Sequence, residues 1–151
     1  MGVHFLFDKV GRVVVAAHTE KDPSDLAWQE YVGFLRVNDG TCDRIFVYTV
    51  GGGPNGKQRK ALEQFMSGKS QHIAVVTPSR VSRAIGTAIS WFNPHIQVFS
   101  PGYLHDAMAH LRLGSQEAVD VVRATLELAK RLAIARAAVD LSLEVRVQEA
   151  V

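Results

Sequence analysis

"RIFVYTVGGGPNGKQRKALEQFM", residues 44–66, decides the fold, because it joins a strand, a glycine turn and a helix in one stretch. The apolar run at residues 44–50 is typical of a buried central strand. After the glycines, Ala61, Leu62 and Phe65 recur at helical spacing. A buried strand that leads directly into a helix predicts a β-α-β crossover with a parallel neighbouring strand.

Upstream of this unit the chain predicts a β-hairpin and a helix. Residues 3–8 and 12–18 are strand-like and flank Gly11, which suits a tight turn. Ser24 then stands where an N-cap residue begins a helix. The apolar residues predicted to face the core from this helix are Leu26, Tyr31, Phe34 and Leu35, with Ala27 or Trp28.

Downstream, strands and helices continue to alternate. "HIAVVTPS" (72–79) and "HIQVFS" (95–100) predict strands, and residues 101–114 predict a short helix. Between the two strands, the helical stripe predicted to face the core contains Val81, Ala84, Ile85, Ala88 and Ile89. The predicted fold is an α/β domain with a mixed sheet of about five strands, an N-terminal hairpin and parallel crossovers.

The C-terminal part is one long helical pattern, residues 115–141, which no Pro or Gly interrupts. We therefore divide the chain into an α/β domain, residues 1–114, and a helical extension, residues 115–151. The apolar face of this helix is wider than the stripe that one monomer needs to cover, which predicts self-association into a homo-oligomer. Alternation at Leu143, Val145 and Val147 makes a final strand possible.

Composition excludes several classes of protein. A net charge of +2 on 151 residues is too small to indicate nucleic-acid binding. A single Cys, Cys42, excludes an intrachain disulfide and a cysteine-based zinc site. No apolar run is long enough for a membrane span, and the start of the chain lacks the pattern of a signal peptide. We expect a cytoplasmic protein.

The glycine turn invites comparison with a phosphate-binding loop. Residues 51–57 fit G-x-x-x-x-G-K, but Gln58 follows where that motif needs a Ser or Thr to hold Mg²⁺. Pro54 also removes one backbone N–H from the loop. The alternative is a strand-to-helix turn in which Asn55 caps the helix. Gln58 and Pro54 therefore favour the strand-to-helix turn over a phosphate-binding loop.

The hairpin and the α/β alternation over residues 3–114 resemble the STAS domain, the fold of anti-sigma factor antagonists in bacterial signalling. Residues 74–91, "AVVTPSRVSRAIGTAISW", and residues 96–111, "IQVFSPGYLHDAMAHL", resemble the later elements of that family. The family's loop reads Asp-Ser-Ser-Gly, with the second Ser phosphorylated; here residues 53–56 read Gly-Pro-Asn-Gly. The resemblance implies a partner-binding protein that lacks the phosphorylation switch, because Asn55 replaces the Ser.

The strand ends and helix starts of such a sheet gather at one edge, which is the predicted binding site. Basic residues open two consecutive helices there, and the glycine turn leads into the first of them. We call this set the candidate edge: Gly52, Gly53, Asn55, Gly56, Lys57, Arg59, Ser79, Arg80 and Arg83.

No catalytic arrangement or metal site is indicated. His105 and His110 are five residues apart on a helix, so they point in different directions, and the other histidines, His18 among them, are expected at the surface at strand ends. The sequence predicts a non-enzymatic regulatory or scaffold protein without a cofactor, which docks a partner protein through the candidate edge. The alternative is a small-ligand or nucleotide-binding domain that uses the glycine loop, residues 51–57.

Overall fold

In the described part of the chain, five strands form one mixed sheet, and their order in space follows their order in sequence. The computed structural model describes residues 2–69, 71–90 and 93–143. The strands are β1 Phe5–Val10, β2 Val13–His18, β3 Arg44–Thr49, β4 His72–Val76 and β5 Ile96–Phe99. The helices are α1 Asp25–Val37, α2 Gly56–Met66, α3 Arg80–Ser90, α4 Leu104–His110, α5 Ser115–Arg131 and α6 Ala137–Asp140, with a 3-10 turn at Pro101–Tyr103.

The predicted hairpin and crossovers are confirmed. β1 pairs antiparallel with β2, and Gly11 between them has a φ of 58°, a left-handed conformation that glycine adopts without strain. β2, β3, β4 and β5 pair parallel in succession. A crossover between parallel strands is right-handed, and each new strand here is added at the same edge of the sheet. The three crossover helices α1, α2 and α3 therefore all lie on one face of the sheet.

On that face, α1 packs over the hairpin and β3. Ser24 caps the helix as predicted, since its hydroxyl accepts a hydrogen bond from the Ala27 N–H at 3.1 Å. The predicted inward face is partly wrong, because the Leu26 side chain is 67% exposed. The residues that α1 does bury are Trp28, Tyr31, Val32 and Leu35.

The opposite face of the sheet is covered by α4 and α5. Val121 and Leu128 of α5 belong to the same buried cluster as Val15 and Phe46 of the sheet. The long C-terminal helix is confirmed, but it ends at Arg131, earlier than the sequence pattern predicts. It thus packs on the sheet of its own chain.

A left-handed residue ends the helical run, because Ala133 has a φ of 59°. The short helix α6 then returns to the sheet, where the Tyr48 hydroxyl donates to the buried Asp140 carboxylate at 2.6 Å. Arg136 pairs with the same carboxylate at 2.9 Å. Of the possible final strand, Val145 and Val147 lie outside the described residues.

Helix α3 packs on the sheet with an unexpected face. The sequence predicts that its apolar stripe faces inward, yet Val81 is 71% exposed and Ile85 is 51% exposed. None of the described side chains of α3 is buried. Gly86 instead lies against Val98 of β5, so closely that a Cβ at this position would be 2.2 Å from the Val98 Cγ2. We call the exposed residues Val81, Ala84, Ile85 and Ala88 the α3 stripe.

Among the helices that the structure describes, none has the length and apolar character that crossing a lipid bilayer requires.

Candidate functional site

A groove of about 640 Å³ lies between α2 and α3, over the middle of the sheet. Two rows of side chains, paired across the parallel strands, form its floor. The row near the centre joins Val47, Val75 and Val98, which are partly buried. The second row is Ile45, Ile73 and Ile96. Ile45 and Ile73 are buried, but the valine row and Ile96 are only partly covered by the neighbouring helices. The groove therefore exposes apolar surface that the fold itself does not cover.

The glycine loop closes the groove at the carboxyl ends of the strands. Gly52 donates its N–H to the Thr19 carbonyl at 2.8 Å. A Cβ on Gly52 would be 2.4 Å from that oxygen and 2.3 Å from the Lys21 carbonyl oxygen, so only glycine fits. Inside the loop, Thr49 donates its hydroxyl to the Gly52 carbonyl and accepts the Gly51 N–H. The loop is therefore closed on itself and on residues 19–21, and its Gly51 and Gly52 N–H groups are not open to a phosphate.

Gln58, the residue that breaks the phosphate-loop motif, is a buried structural link. Its amide oxygen accepts the Asn55 N–H, and the Asn55 side chain accepts the Gln58 N–H, which forms a capping box at the start of α2. The Gln58 Nε2 donates to the Pro23 carbonyl at 3.0 Å and to the Asp25 carboxylate at 2.9 Å. The Trp28 indole donates to the Gln58 carbonyl at 2.8 Å. The predicted cap at Asn55 is confirmed, and Gln58 joins it to α1.

The structure brings part of the candidate edge together. The edge residues that line the groove are Gly52, Gly53, Asn55, Gly56 and Arg59. Lys57 and Arg80 are exposed outside it. Ser79 caps α3 by accepting the Ser82 N–H at 3.2 Å, and Arg83 donates to the Thr77 carbonyl at 2.9 Å. Ser79 and Arg83 thus have local structural partners.

His18 also lines the groove, and sequence reasoning missed it. The prediction that it lies at the surface is wrong, since the residue is only 3% exposed. Its ring stacks on Phe5 with centroids 4.3 Å apart, and its Nδ1 is buried without a hydrogen-bond partner in the described structure. Burial lowers the pKa of His18 from 6.5 to about 3, so the ring is neutral. The burial of His18 could have been predicted from the continuous apolar run of β2 that precedes it. Such a run is typical of a strand buried on both faces, and the last residue of that strand is then buried too.

A second group of histidines lies at the other end of the parallel strands. The His72 ring is 5.0 Å from the His95 ring and 5.4 Å from the His110 ring. His110 is hydrogen-bonded to the His95 carbonyl at 2.8 Å. Burial, with neighbouring positive groups, lowers the pKa of His72. Within the described ranges, no group of three or more His, Cys, Asp or Glu residues is arranged to hold a metal ion.

The groove lining is mainly aliphatic, with charged residues such as Asp22, Arg59 and Glu63 among it. This composition suits the binding of an apolar surface more than proton transfer or nucleophilic attack. Comparison of the chain with protein-family models, curated proteins and solved structures gives no match.

The role of Gln58 can be tested by completing the phosphate motif. Gln58→Ser produces the full G-x-x-x-x-G-K-[ST] pattern, yet it removes the capping box and both bonds to residues 23–25. We expect a loss of about 1–3 kcal/mol in the free energy of unfolding in urea. We also expect no thermal stabilisation by Mg²⁺ with ATP or GTP. Gln64→Ser, at an exposed position of the same helix, is the control and should change stability by less than about 0.5 kcal/mol. Nucleotide binding by the Gln58→Ser protein would contradict this account.

The burial of His18 predicts a loss of stability on acidification. In the unfolded chain the pKa is near 6.5 and in the folded chain about 3, so between these values the unfolded state binds the extra proton. The free energy of unfolding should therefore fall by about 2 kcal/mol between pH 7 and pH 5, above the range in which most carboxylates titrate. His72, with its lowered pKa, contributes in the same direction.

The measurement is urea unfolding at several pH values. His18→Phe keeps a ring against Phe5 and should flatten the pH dependence, whereas His105→Gln, at a partly exposed position, should keep most of it. If the free energy of unfolding of His18→Phe depends on pH as steeply as that of the unaltered chain, the buried His18 is not the source of the effect.

Proposed function

We propose that this chain is a non-enzymatic regulatory or scaffold module that binds a partner protein through the groove and the candidate edge. The observation that carries the proposal is the orientation of α3. The helix turns Gly86 toward β5 and leaves the α3 stripe exposed beside an open apolar groove. Contiguous apolar surface of this kind marks interaction sites in proteins.

The sequence of α3 makes this orientation informative. A helix that only had to cover a sheet would bury its large apolar side chains, as α1 does with Trp28 and Leu35. In α3 the large apolar side chains remain exposed, because Val81 is 71% exposed and Ile85, which lines the groove, is 51% exposed. Burying them against a partner would add roughly 1.5–3 kcal/mol for each side chain that becomes fully covered. The exposed side chains of α3 therefore support docking of another protein.

Charge around the groove supports a partner with acidic residues. Lys57, Arg59, Lys60 and Arg80 are exposed at the starts of α2 and α3, on the same side of the sheet as the glycine loop. Such charges steer association and set orientation more than they add affinity. The STAS resemblance points in the same direction, because that family docks proteins. With Asn55 capping α2, docking would not depend on phosphorylation at this position.

A second candidate function is the binding of a small ligand inside the groove. Its volume of about 640 Å³ is in the range of small-molecule sites. The nucleotide version of this candidate is disfavoured by the closed glycine loop and by the structural bonds of Gln58.

We also propose self-association through the C-terminal helix. Most of the apolar face of α5 packs on the sheet, and Val119, 38% exposed, remains at its surface with Val139 of α6, 80% exposed. These residues support an interface between copies of the chain that is smaller than the sequence pattern implies.

The docking surface can be tested with glutamate variants. Ile85→Glu and Val81→Glu place a charge on the α3 stripe and should reduce capture of the partner from extracts of the native source at least tenfold in a quantitative pull-down. Leu26→Glu, 67% exposed on α1, is the matched control and should capture as much as the unaltered chain. Equal capture of the partner by the three variants and the unaltered chain would refute the docking proposal.

Self-association is tested separately by light scattering coupled to gel filtration. The unaltered chain should elute as a dimer or larger, and Val119→Glu combined with Val139→Glu should shift it to monomer. A monomer at every concentration of the unaltered chain would refute the oligomer.

A further inference from the structure

We infer that the interior of the groove is a binding site for a small amphipathic molecule, with an aliphatic body over the sheet and an oxygen-bearing head at His18. This site deepens the second candidate function: it lies in the same groove that the docking proposal uses and shares Ile85 with the α3 stripe, but Val81 of that stripe lies outside it.

The body of the ligand is defined by the floor and walls. The paired row Val47, Val75 and Val98 runs across three strands and is only partly buried. Leu62 of α2 and Ile89 of α3 line the groove above it. A flexible alkyl chain can follow this surface, and covering it removes apolar area from water.

The head is defined by His18, which lies where β2 ends, opposite Thr49 in the register of the sheet. The residue is 3% exposed, lines the groove, and has a buried Nδ1 without a partner in the described structure. A buried N–H without a partner is rarer and more costly than an unpaired acceptor, so the neutral ring is most stable with its proton on Nε2. The Nε2 N–H is then the donor that this ring, which lines the groove, has for an oxygen acceptor on the ligand.

Charge decides which head groups fit. Arg59 lines the groove beside the start of α2, and Asp22 and Glu63 also line it. The His18 ring and the Arg59 guanidinium donate hydrogen bonds, which a carboxylate or a hydroxyl oxygen accepts. Asp22 and Glu63 can attract an ammonium head, but such a head has only donors and leaves the His18 N–H unpaired. Recognition at His18 therefore favours oxygen heads over amine heads.

Three probes with the same chain test this selection: decanoate, 1-decanol and decylamine. Isothermal titration calorimetry of the full chain should show that decanoate and 1-decanol bind at least tenfold more tightly than decylamine. If decanoate alone binds, the head is a carboxylate, and if both oxygen compounds bind equally, the donor at His18 is sufficient. Either result supports the site.

His18→Phe removes both ring nitrogens, keeps the stack on Phe5, and should weaken decanoate about tenfold, the loss of one hydrogen bond to a charged group. Val75→Phe fills the floor from β4, whereas His18 is on β2, and it should also weaken decanoate tenfold or more, so the test stands even where one variant fails to fold. Val81→Glu should bind decanoate like the unaltered chain while it loses the partner protein, which separates this site from the docking surface.

Any of three results would overturn the inference. The first is the absence of binding by all three probes up to their solubility limits. The second is unchanged decanoate affinity in His18→Phe, and the third is decylamine binding as tight as decanoate.

Discussion

The contact between Gly86 and Val98 determines how much of the sheet remains open. With no Cβ at Gly86, α3 lies directly on the outer strand β5, and its small side turns toward the sheet. Val81 and Ile85 of the same helix remain exposed, and Ile85 and Ile89 line the groove. Since α2 packs beside α1 and α3 is held at β5, the helices leave the floor of β3 and β4 uncovered between them. The groove and the exposed stripe follow from this one close approach.

The second constraint is the link through Gln58. One side chain holds the glycine loop, the start of α2 and the start of α1 in a fixed arrangement. The loop matches the sequence of a phosphate-binding loop except at Gln58. The side chain of this residue holds the loop in its observed geometry. Its glycines serve close packing against residues 19–21 instead of anion binding.

The features that the sequence predicted correctly are those set by local chemistry. The caps at Ser24 and Asn55 need only a side-chain oxygen near free N–H groups, and the hairpin needs Gly11. The parallel pairing of successive strands followed from the alternation of strands and helices.

The features that it missed depend on tertiary packing. An apolar stripe specifies that a helix face is apolar, but in α3 the sheet does not bury that face. The end of α5 at Arg131 could not be predicted from the sequence either. The left-handed residue that follows it, Ala133, is neither a Gly nor an Asn, which are the residues that usually mark a helix end. Of the candidate site, the glycine loop and Arg59 were predicted, whereas His18 and the valine floor became visible only once the strands were paired.

The outer strand β5 has a consequence for how copies of this chain can meet. It is only four residues long, Ile96–Phe99, and it lies between Pro94 and Pro101, neither of which has a backbone N–H to donate. Short strands bordered by proline are poor templates for another strand, so the sheet is protected at this side from growing by edge-to-edge pairing. Contacts between copies at β5 are accordingly made by side chains. The specificity of such contacts can be changed by single substitutions that leave the sheet intact.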